Sequence, residues 1–363
     1  MNTDFIDALT EIEREKGISK DLLIDAIEAA MISSYKRNFN TAQNVRVDIN
    51  RHTGMIKVYA RKNVVEDVLD VRLELSVDAA RQINANYQIN DIVEIEVTPR
   101  DFGRIAAQTA KQVVTQRIRE AERGLIYNTF IEREEDIVNG IFQRQDQRNV
   151  YIDIGKVEAV LPINELMPTD RYKQGDRVIA FITKVENTTK GPQINLSRTH
   201  PGLLKRLFEL EVPEIFDGVV EIRSVAREAG YRSKVAVHSR NPEVDPVGSC
   251  VGPKGIRVQT IVNELRGEKI DIVRWMDRTE DYIANSLSPS KVIEVVILPD
   301  EKIARVIVPD YQLSLAIGIK GQNARLAAKL TGWKIDIKSE SQAEQEFGRA
   351  KTYIDPTTDS TLV

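Results

Sequence analysis

Cysteine is nearly absent. Cys250 is the only one in 363 residues, so no disulfide can form within the chain, and a reducing compartment is expected. No apolar run approaches the roughly 18–20 residues that a bilayer-spanning helix needs, so the chain is expected to be cytoplasmic and off the membrane. The opening Met1-Asn2-Thr3-Asp4 carries an acid and no apolar core, which argues against a secretory signal. Histidine is scarce as well. His52, His200 and His238 fall in a turn, a junction and a strand, with no His-x-x-x-His pair, so neither metal nor cofactor is expected. A strong charge of one sign is also missing. The net charge is −4, residues 200–278 carry 13 Lys/Arg against 12 Asp/Glu, and residues 279–338 carry 8 against 7. Any grip on a polyanion must therefore come from local groups and backbone amides, not from a bulk field.

What is present changes period along the chain. Phe5, Leu9 and Ile12 recur at helical spacing up to Gly17. Ser19 is placed to cap a second helix with apolar positions Leu22, Leu23, Ala26, Ile27, Ala30 and Met31. Val45, Val47 and Ile49 alternate, His52-Thr53-Gly54 turns, and Ile56 and Val58 alternate again, which predicts a hairpin. A strand is expected over 92–97, then a long helix over 104–131 with a weak point at Gly124. Five short strand-like runs follow, at 137–142, 150–154, 158–162, 178–185 and 193–197. Their spacing suits a small closed barrel of the OB type.

Residues 200–340 contain a repeat. Gly252-Pro253-Lys254-Gly255 is followed by a helical stretch and then Gly267-Glu268-Lys269-Ile270-Asp271-Ile272. Gly318-Ile319-Lys320-Gly321 is followed by another helical stretch and then Gly332-Trp333-Lys334-Ile335-Asp336-Ile337. Each loop is preceded by two strand-like runs and an aspartate-started apolar segment, at Asp245 and Asp310. Each unit reads helix–strand–strand–helix–GxxG–helix–strand, one fold used twice. A single GxxG is an ordinary tight turn. Two copies at the same place in a repeat, each with lysine third, point to the loop by which KH modules clamp about four nucleotides of single-stranded RNA. The glycines permit close approach to a sugar-phosphate backbone, the following helix offers free amides, and Lys254 and Lys320 add charge. A nucleotide-hydrolysing P-loop is excluded, because no Gly-Lys-Ser/Thr is present and a helical segment precedes the loop.

In the barrel, Phe142, Tyr151 and Phe181 are candidate base-stacking residues, with Arg144 and Arg148 nearby. Core packing competes for each, most strongly for Phe181. Tyr151 is favoured, since it shares a face with Asp153 and not with Ile152 and Ile154. Cys250, in a small apolar helix, reads as a buried thiol. No acid–base dyad is found, so the chain is not expected to be an enzyme.

Several strings carry a closer likeness: Phe102-Gly103-Arg104-Ile105-Ala106-Ala107-Gln108-Thr109-Ala110-Lys111, Ser197-Arg198-Thr199-His200-Pro201-Gly202, Asp245-Pro246-Val247-Gly248, and Val308-Pro309-Asp310-Tyr311-Gln312-Leu313-Ser314-Leu315-Ala316-Ile317-Gly318. Together they make the chain resemble the NusA family of bacterial transcription termination/antitermination factors over residues 1 to about 340. The resemblance implies a multi-domain α+β chain. Residues 1–126 would be a mixed α/β polymerase-binding domain with its connecting helix, and 135–199 an S1 domain, a five-stranded β-barrel of the OB fold. Residues 200–278 and 279–340 would be two tandem type II KH domains, and 341–363 a disordered tail. It implies docking on RNA polymerase at the β-subunit flap, binding of nascent single-stranded RNA, association with other antitermination factors, and a monomeric factor acting on pausing, termination and antitermination. The implied RNA contacts are Gly252, Pro253, Lys254, Gly255 and Arg257 in the first KH unit, and Gly318, Ile319, Lys320, Gly321, Gln322 and Asn323 in the second. Tyr151 and Arg144 of the barrel join them.

Three features depart from the family pattern. The second loop is usually Gly-Lys-Glu-Gly, whereas Ile319 and Lys320 stand here, which removes an acid from the phosphate path. Pro162 stands where many S1 domains have histidine. The acidic C-terminal repeats of some members have no counterpart, so their autoinhibitory role and their contact with the polymerase α subunit do not carry over from the resemblance. Two other readings are set against this one. An RNA-degrading enzyme would combine S1 and KH units in the opposite order, with a phosphorolytic core. A ribosome-assembly adaptor would lack polymerase contact.

Overall fold

The computed structural model describes residues 3–39 and 44–347, and these form two compact units, one ending at Asn128 and the other beginning at Thr129. In the first unit, helices α1 (Thr3–Lys16) and α2 (Lys20–Asn38) precede a hairpin of β1 (Val45–Ile49) and β2 (Ile56–Val65). Then come β3 (Glu74–Ser76), α3 (Val77–Ile83), β4 (Ile92–Glu96) and the long α4 (Phe102–Ile131). Strand β2 organises the sheet, pairing antiparallel with β1 (Val47 opposite Val58) and β4 (Ala60 opposite Ile95) and parallel with β3. The core packs Leu23, Ile27 and Met31 of α2 against Val45, Val47 and Ile49 and against Phe102, Ala106 and Ala110 of α4.

Two expectations shift in this unit. Ser19 does stand at the start of α2, but its side chain caps nothing. Leu22 is 68% exposed, because the buried stripe of α2 runs Leu23, Ile27, Met31, Tyr35 at four-residue intervals, with Ile24 beside it. The pair β3–α3 was not anticipated, being short, although Ser76 caps α3 through the Ala79 N–H. Helix α4 continues through Gly124 without a break.

The second unit opens with a closed five-stranded barrel in the order β5-β6-β7-β9-β8, as the five-run pattern predicts. Its strands are β5 (Ile137–Gln145), β6 (Asn149–Asp153), β7 (Glu158–Pro162), β8 (Arg177–Thr188) and β9 (Gly191–Ser197). Gly140 is needed for closure, since a Cβ there would lie 2.4 Å from Ile152 Cγ2. Two like-folded units follow. The first is α5 (Pro201–Glu211), α6 (Pro213–Phe216), β10 (Val220–Glu228), β11 (Arg232–Ser239), α7 (Pro246–Val251), α8 (Ile256–Glu264) and β12 (Lys269–Arg274). The second is α9 (Thr279–Ser286), β13 (Glu294–Leu298), β14 (Ile303–Val308), α10 (Leu313–Ile317), α11 (Gln322–Thr331) and β15 (Lys334–Ser339). In each, the first two strands are antiparallel and the third runs parallel to the middle one, Val235 opposite Ile272 and Val306 opposite Ile337. This is the type II KH order.

These domains share cores. Met167 and Phe181 of the barrel lie in one buried cluster with Leu204, Phe208 and Val235 of the first KH unit. Ala226, Ala236 and Val273 of that unit are buried with Tyr282, Leu326 and Leu330 of the second. The Leu330 carbonyl accepts hydrogen bonds from Ser224 Oγ (2.9 Å) and the Tyr282 hydroxyl (3.1 Å).

The disordered tail is corrected at its start. Residues Glu340–Phe347 form helix α12, which opens on a reciprocal cap: Gln342 N–H donates to Ser339 Oγ, and Ser339 N–H donates to Gln342 Oε1. Asp310 adds to it by accepting from the Ser341 N–H and hydroxyl, so this aspartate serves α12 and does not cap α10. The rest of the expected tail, 348–363, lies outside the described residues.

Candidate nucleic-acid interface

The two GxxG loops superimpose in their torsions. Gly252, Lys254 and Gly255 have φ/ψ of 73/173, 53/22 and 76/14, and Gly318, Lys320 and Gly321 have 77/172, 53/29 and 72/17. Two glycines and a lysine per loop thus sit at positive φ. For lysine that conformation is disfavoured, and strain of this kind concentrates at functional sites. Each loop is closed by one bond, from the fourth residue's N–H to the first glycine's carbonyl, 3.1 Å in both. Asp245 caps α7, the helix leading into the first loop, by accepting from the Gly248 N–H at 2.9 Å.

The two glycines of a loop do different work. A Cβ on Gly252 would lie 2.7 Å from Arg257 Cγ, and one on Gly318 would lie 2.8 Å from the Asn323 backbone nitrogen. The first glycine is therefore required by packing within the protein. Around Gly255 and Gly321 the nearest atoms would be 4.0 Å away. There the space is open, which leaves the fourth glycine free to meet something outside the chain.

The residue five places beyond the first glycine tethers each loop. Arg257 donates from Nη1 to Glu214 Oε2 (2.9 Å) and to the Ser249 carbonyl (2.6 Å) at the end of α7. In the second unit Asn323 takes this place and donates from Nδ2 to the carbonyls of Ala316 and Leu287, 3.0 Å each. Asn323 is buried, so its expected role as an RNA contact is corrected: its side chain points inward and supports the loop. Arg257 is half-buried with its guanidinium engaged, and Gln322 donates to Glu228 Oε2 at 2.9 Å. Pro253, Lys254, Ile319 and Lys320 remain at the surface, and no carboxylate among the described residues pairs with either lysine.

In the barrel, Arg144 lies over the Tyr151 ring, its Cζ 3.6 Å from the centroid, and also pairs with Glu158 at 2.7 Å. The Tyr151 hydroxyl donates to Asp146 Oδ2 at 2.8 Å. Tyr151 is half-buried and Arg144 exposed, so the stack lies at the surface. Phe142 and Phe181 are not available for stacking: of the two readings weighed for them, core packing holds, as favoured for Phe181. Both are buried, Phe142 against Tyr172 and Phe181 flat on His200 with centroids 4.6 Å apart.

These loops and folds can be set beside known proteins. Residues 4–124 match the NusA N-terminal domain, 132–197 the S1 RNA binding domain, 198–275 the NusA-like first KH domain and 279–345 the NusA-like second KH domain. The transcription termination/antitermination protein NusA of Halalkalibacterium halodurans is 72% identical over 348 residues, covering 96% of this chain and 91% of its own. That of Bacillus subtilis is 67% identical over 345 residues, covering 95% and 93%, and that of Thermus thermophilus 40% identical over 349 residues, covering 93% and 90%. The chain belongs to the NusA family. It is thus a transcription termination/antitermination factor of four domains, as the motifs and strings imply, and its relatives are not named as enzymes.

In this NusA chain, sequence reasoning passed over the groups that join the domains. Arg198, 1% exposed at its side chain, pairs with the buried Asp170 (2.9 Å) and donates to the Ile179 and Glu264 carbonyls, tying barrel to first KH unit. Arg227 and Glu268 form a second buried pair. Arg325 reaches Glu228 at 2.7 Å between the KH units. The sequence carries little signal for these: β10, which holds Arg227, also carries Glu221, Arg223 and Glu228, so nothing in its pattern singles out the buried charge. Cys250 is buried as expected, and burial pushes its thiol up to about 12. No group of His, Cys, Asp and Glu among the described residues could hold a metal ion, and no described helix is long and apolar enough to cross a membrane.

Proposed function

We propose that this factor receives nascent single-stranded RNA on its barrel and two KH units while residues 1–126 dock on RNA polymerase at the β-subunit flap. It modulates pausing, intrinsic termination and antitermination from there. Residues 135–199, 200–278 and 279–340 are the proposed RNA-binding domains. The factor acts as a cytoplasmic monomer and joins other antitermination factors on the polymerase.

One observation carries the RNA reading. Two loops with matching torsions both present an unpaired lysine and an uncrowded fourth glycine to solvent. A phosphate can approach the loop backbone at Gly255 and Gly321, with Lys254 and Lys320 alongside. The proposed contacts are Gly252, Pro253, Lys254 and Gly255 in one loop and Gly318, Ile319, Lys320 and Gly321 in the other, with the Arg144–Tyr151 stack in support.

Salt titration of RNA binding tests this. With Lys254→Gln and Lys320→Gln together, the slope of log K against log salt should fall by about 0.7 per lost phosphate contact. An unchanged slope and affinity would remove the loops from the RNA path. Pull-down of core polymerase by residues 1–126, with and without the β flap, tests the docking, and capture that ignores the flap would exclude that contact.

A further inference from the structure

A cleft of about 430 Å³ lies between the tip of the β10–β11 hairpin in the first KH unit and the second GxxG loop. Tyr231, 60% exposed, stands on the hairpin side, and Leu315 (45%) and Ile319 (85%) stand on the loop side. Gly318 and Lys269 also line it. Exposed aromatic and aliphatic side chains from two elements of the lining present apolar surface to whatever enters. Neither the Tyr231 hydroxyl nor the Lys269 ammonium has a hydrogen-bond or ion-pair partner among the described residues.

The backbone that carries the tyrosine is fixed at several points. Gly230, at φ 78, donates its N–H to the buried Glu268 carboxylate at 2.8 Å. A Cβ on Gly230 would lie 3.0 Å from Cδ of Pro168 in the barrel, so the turn is wedged against a second domain. The Tyr231 N–H donates to the Glu228 carbonyl (3.0 Å), and its own carbonyl accepts from the Lys269 N–H (3.1 Å). With the backbone fixed, only the two torsions of the tyrosine side chain remain to be ordered when a flat ligand stacks on the ring.

The repeat sharpens the point. The corresponding hairpin of the second KH unit turns through Pro299-Asp300-Glu301-Lys302, and Lys302 stands in place of the aromatic: its carbonyl accepts from the Lys334 N–H as that of Tyr231 accepts from the Lys269 N–H. The aromatic belongs only to the hairpin that faces a phosphate-binding loop across a cleft.

We infer that this cleft is a base pocket, in which one nucleobase of a single-stranded RNA stacks on Tyr231 and packs under Ile319 and Leu315. The adjoining phosphate meets the Gly318–Gly321 loop, and Lys269 meets the phosphate on the other side. The size is within the roughly 300–1,000 Å³ of ligand clefts, and stacking accepts any base, so the pocket fixes the position of a nucleotide and not its identity. This inference rests on the RNA reading of the loops and adds a site between them.

The test uses the full chain and an unstructured RNA of about a dozen nucleotides, labelled for anisotropy, with 2-aminopurine walked along it in a second series. Tyr231→Ser should weaken binding on the order of tenfold, while Tyr231→Phe should bind nearly as the parent does. One 2-aminopurine position should be quenched in the parent and in Tyr231→Phe and bright in Tyr231→Ser. Gly321→Asp is the control for the loop. If Gly321→Asp abolishes binding while Tyr231→Ser changes neither affinity nor quenching, RNA lies on the loops and the cleft is empty, which overturns the inference alone. If neither variant affects binding, the RNA reading of the loops falls with it.

Discussion

Arg227 and Glu268 meet 2.9 Å apart with both side chains wholly shielded from solvent. The carboxylate also accepts from Ser233 Oγ at 2.6 Å and from the Gly230 N–H, so one buried acid organises the hairpin that carries Tyr231. Removing one member of such a pair strands the other's charge in a low-dielectric interior. Arg227→Met should therefore lower stability by about 3–5 kcal/mol. The double variant Arg227→Met with Glu268→Gln should recover part of that loss. Urea unfolding of the parent and the two variants measures both.

The unequal glycines of each loop give a paired prediction. Gly318→Ala puts a methyl against backbone that cannot move aside, so its cost should exceed that of Gly321→Ala, where only the positive φ resists, at about 1–2 kcal/mol. Gly255→Asp and Gly321→Asp together should leave the fold intact and weaken RNA binding, since each brings a side chain and a like charge to the phosphate path. Thermal melts combined with gel-shift titration at fixed salt separate the two effects.

Burial holds the Cys250 thiol up near 12, so almost no thiolate exists at neutral pH in the folded chain. A thiol reagent at pH 8 should label Cys250 only as fast as the domain opens, and fully in denaturant. The same shift makes stability fall as pH rises above the unfolded thiol's ordinary value of 9.0 and through the folded one, because the unfolded chain loses its proton first. Rapid labelling of the native protein would contradict this burial.

The contact between KH units should respond to acid. Hydrogen bonds from Arg325 and then Gln322 draw Glu228 below its ordinary value of 4.5. Its contribution is present in full above that value and is lost as pH falls through the lowered folded one. Urea midpoints measured from pH 6 to 3 should thus decline on the acid side of 4.5, and Arg325→Ala should flatten that part of the curve.

Much of this was readable in the chain because the signals are local. Alternation at Val45–Ile49, the five runs of the barrel and the duplicated glycines each specify an element through neighbouring residues. What escaped depends on distant partners. Asn323 looks like the exposed first turn of a helix, yet one of the two carbonyls that fix it belongs to Leu287, 36 residues earlier. Leu22 and Leu23 are chemically alike, and only the angle at which α2 meets the sheet decides that the second goes inside. Helix α12 was taken for tail because its polar composition hides a cap made by Ser339 and Gln342. For the barrel aromatics the sequence left stacking and core packing both open, with core packing favoured for Phe181, and Phe181 does lie buried on His200.

The joint burial of Leu326 and Leu330 with Ala226, Ala236 and Val273 has a mechanical consequence. No flexible tether separates the two halves of the repeat, so the interval between their glycine turns is set by the girth of a few aliphatic side chains. A transcript bound as proposed on both would be measured against a ruler of fixed length. Shaving a methyl from Leu326 would alter the gauge as well as the stability, whereas lengthening the surface link near Arg278 would leave it untouched.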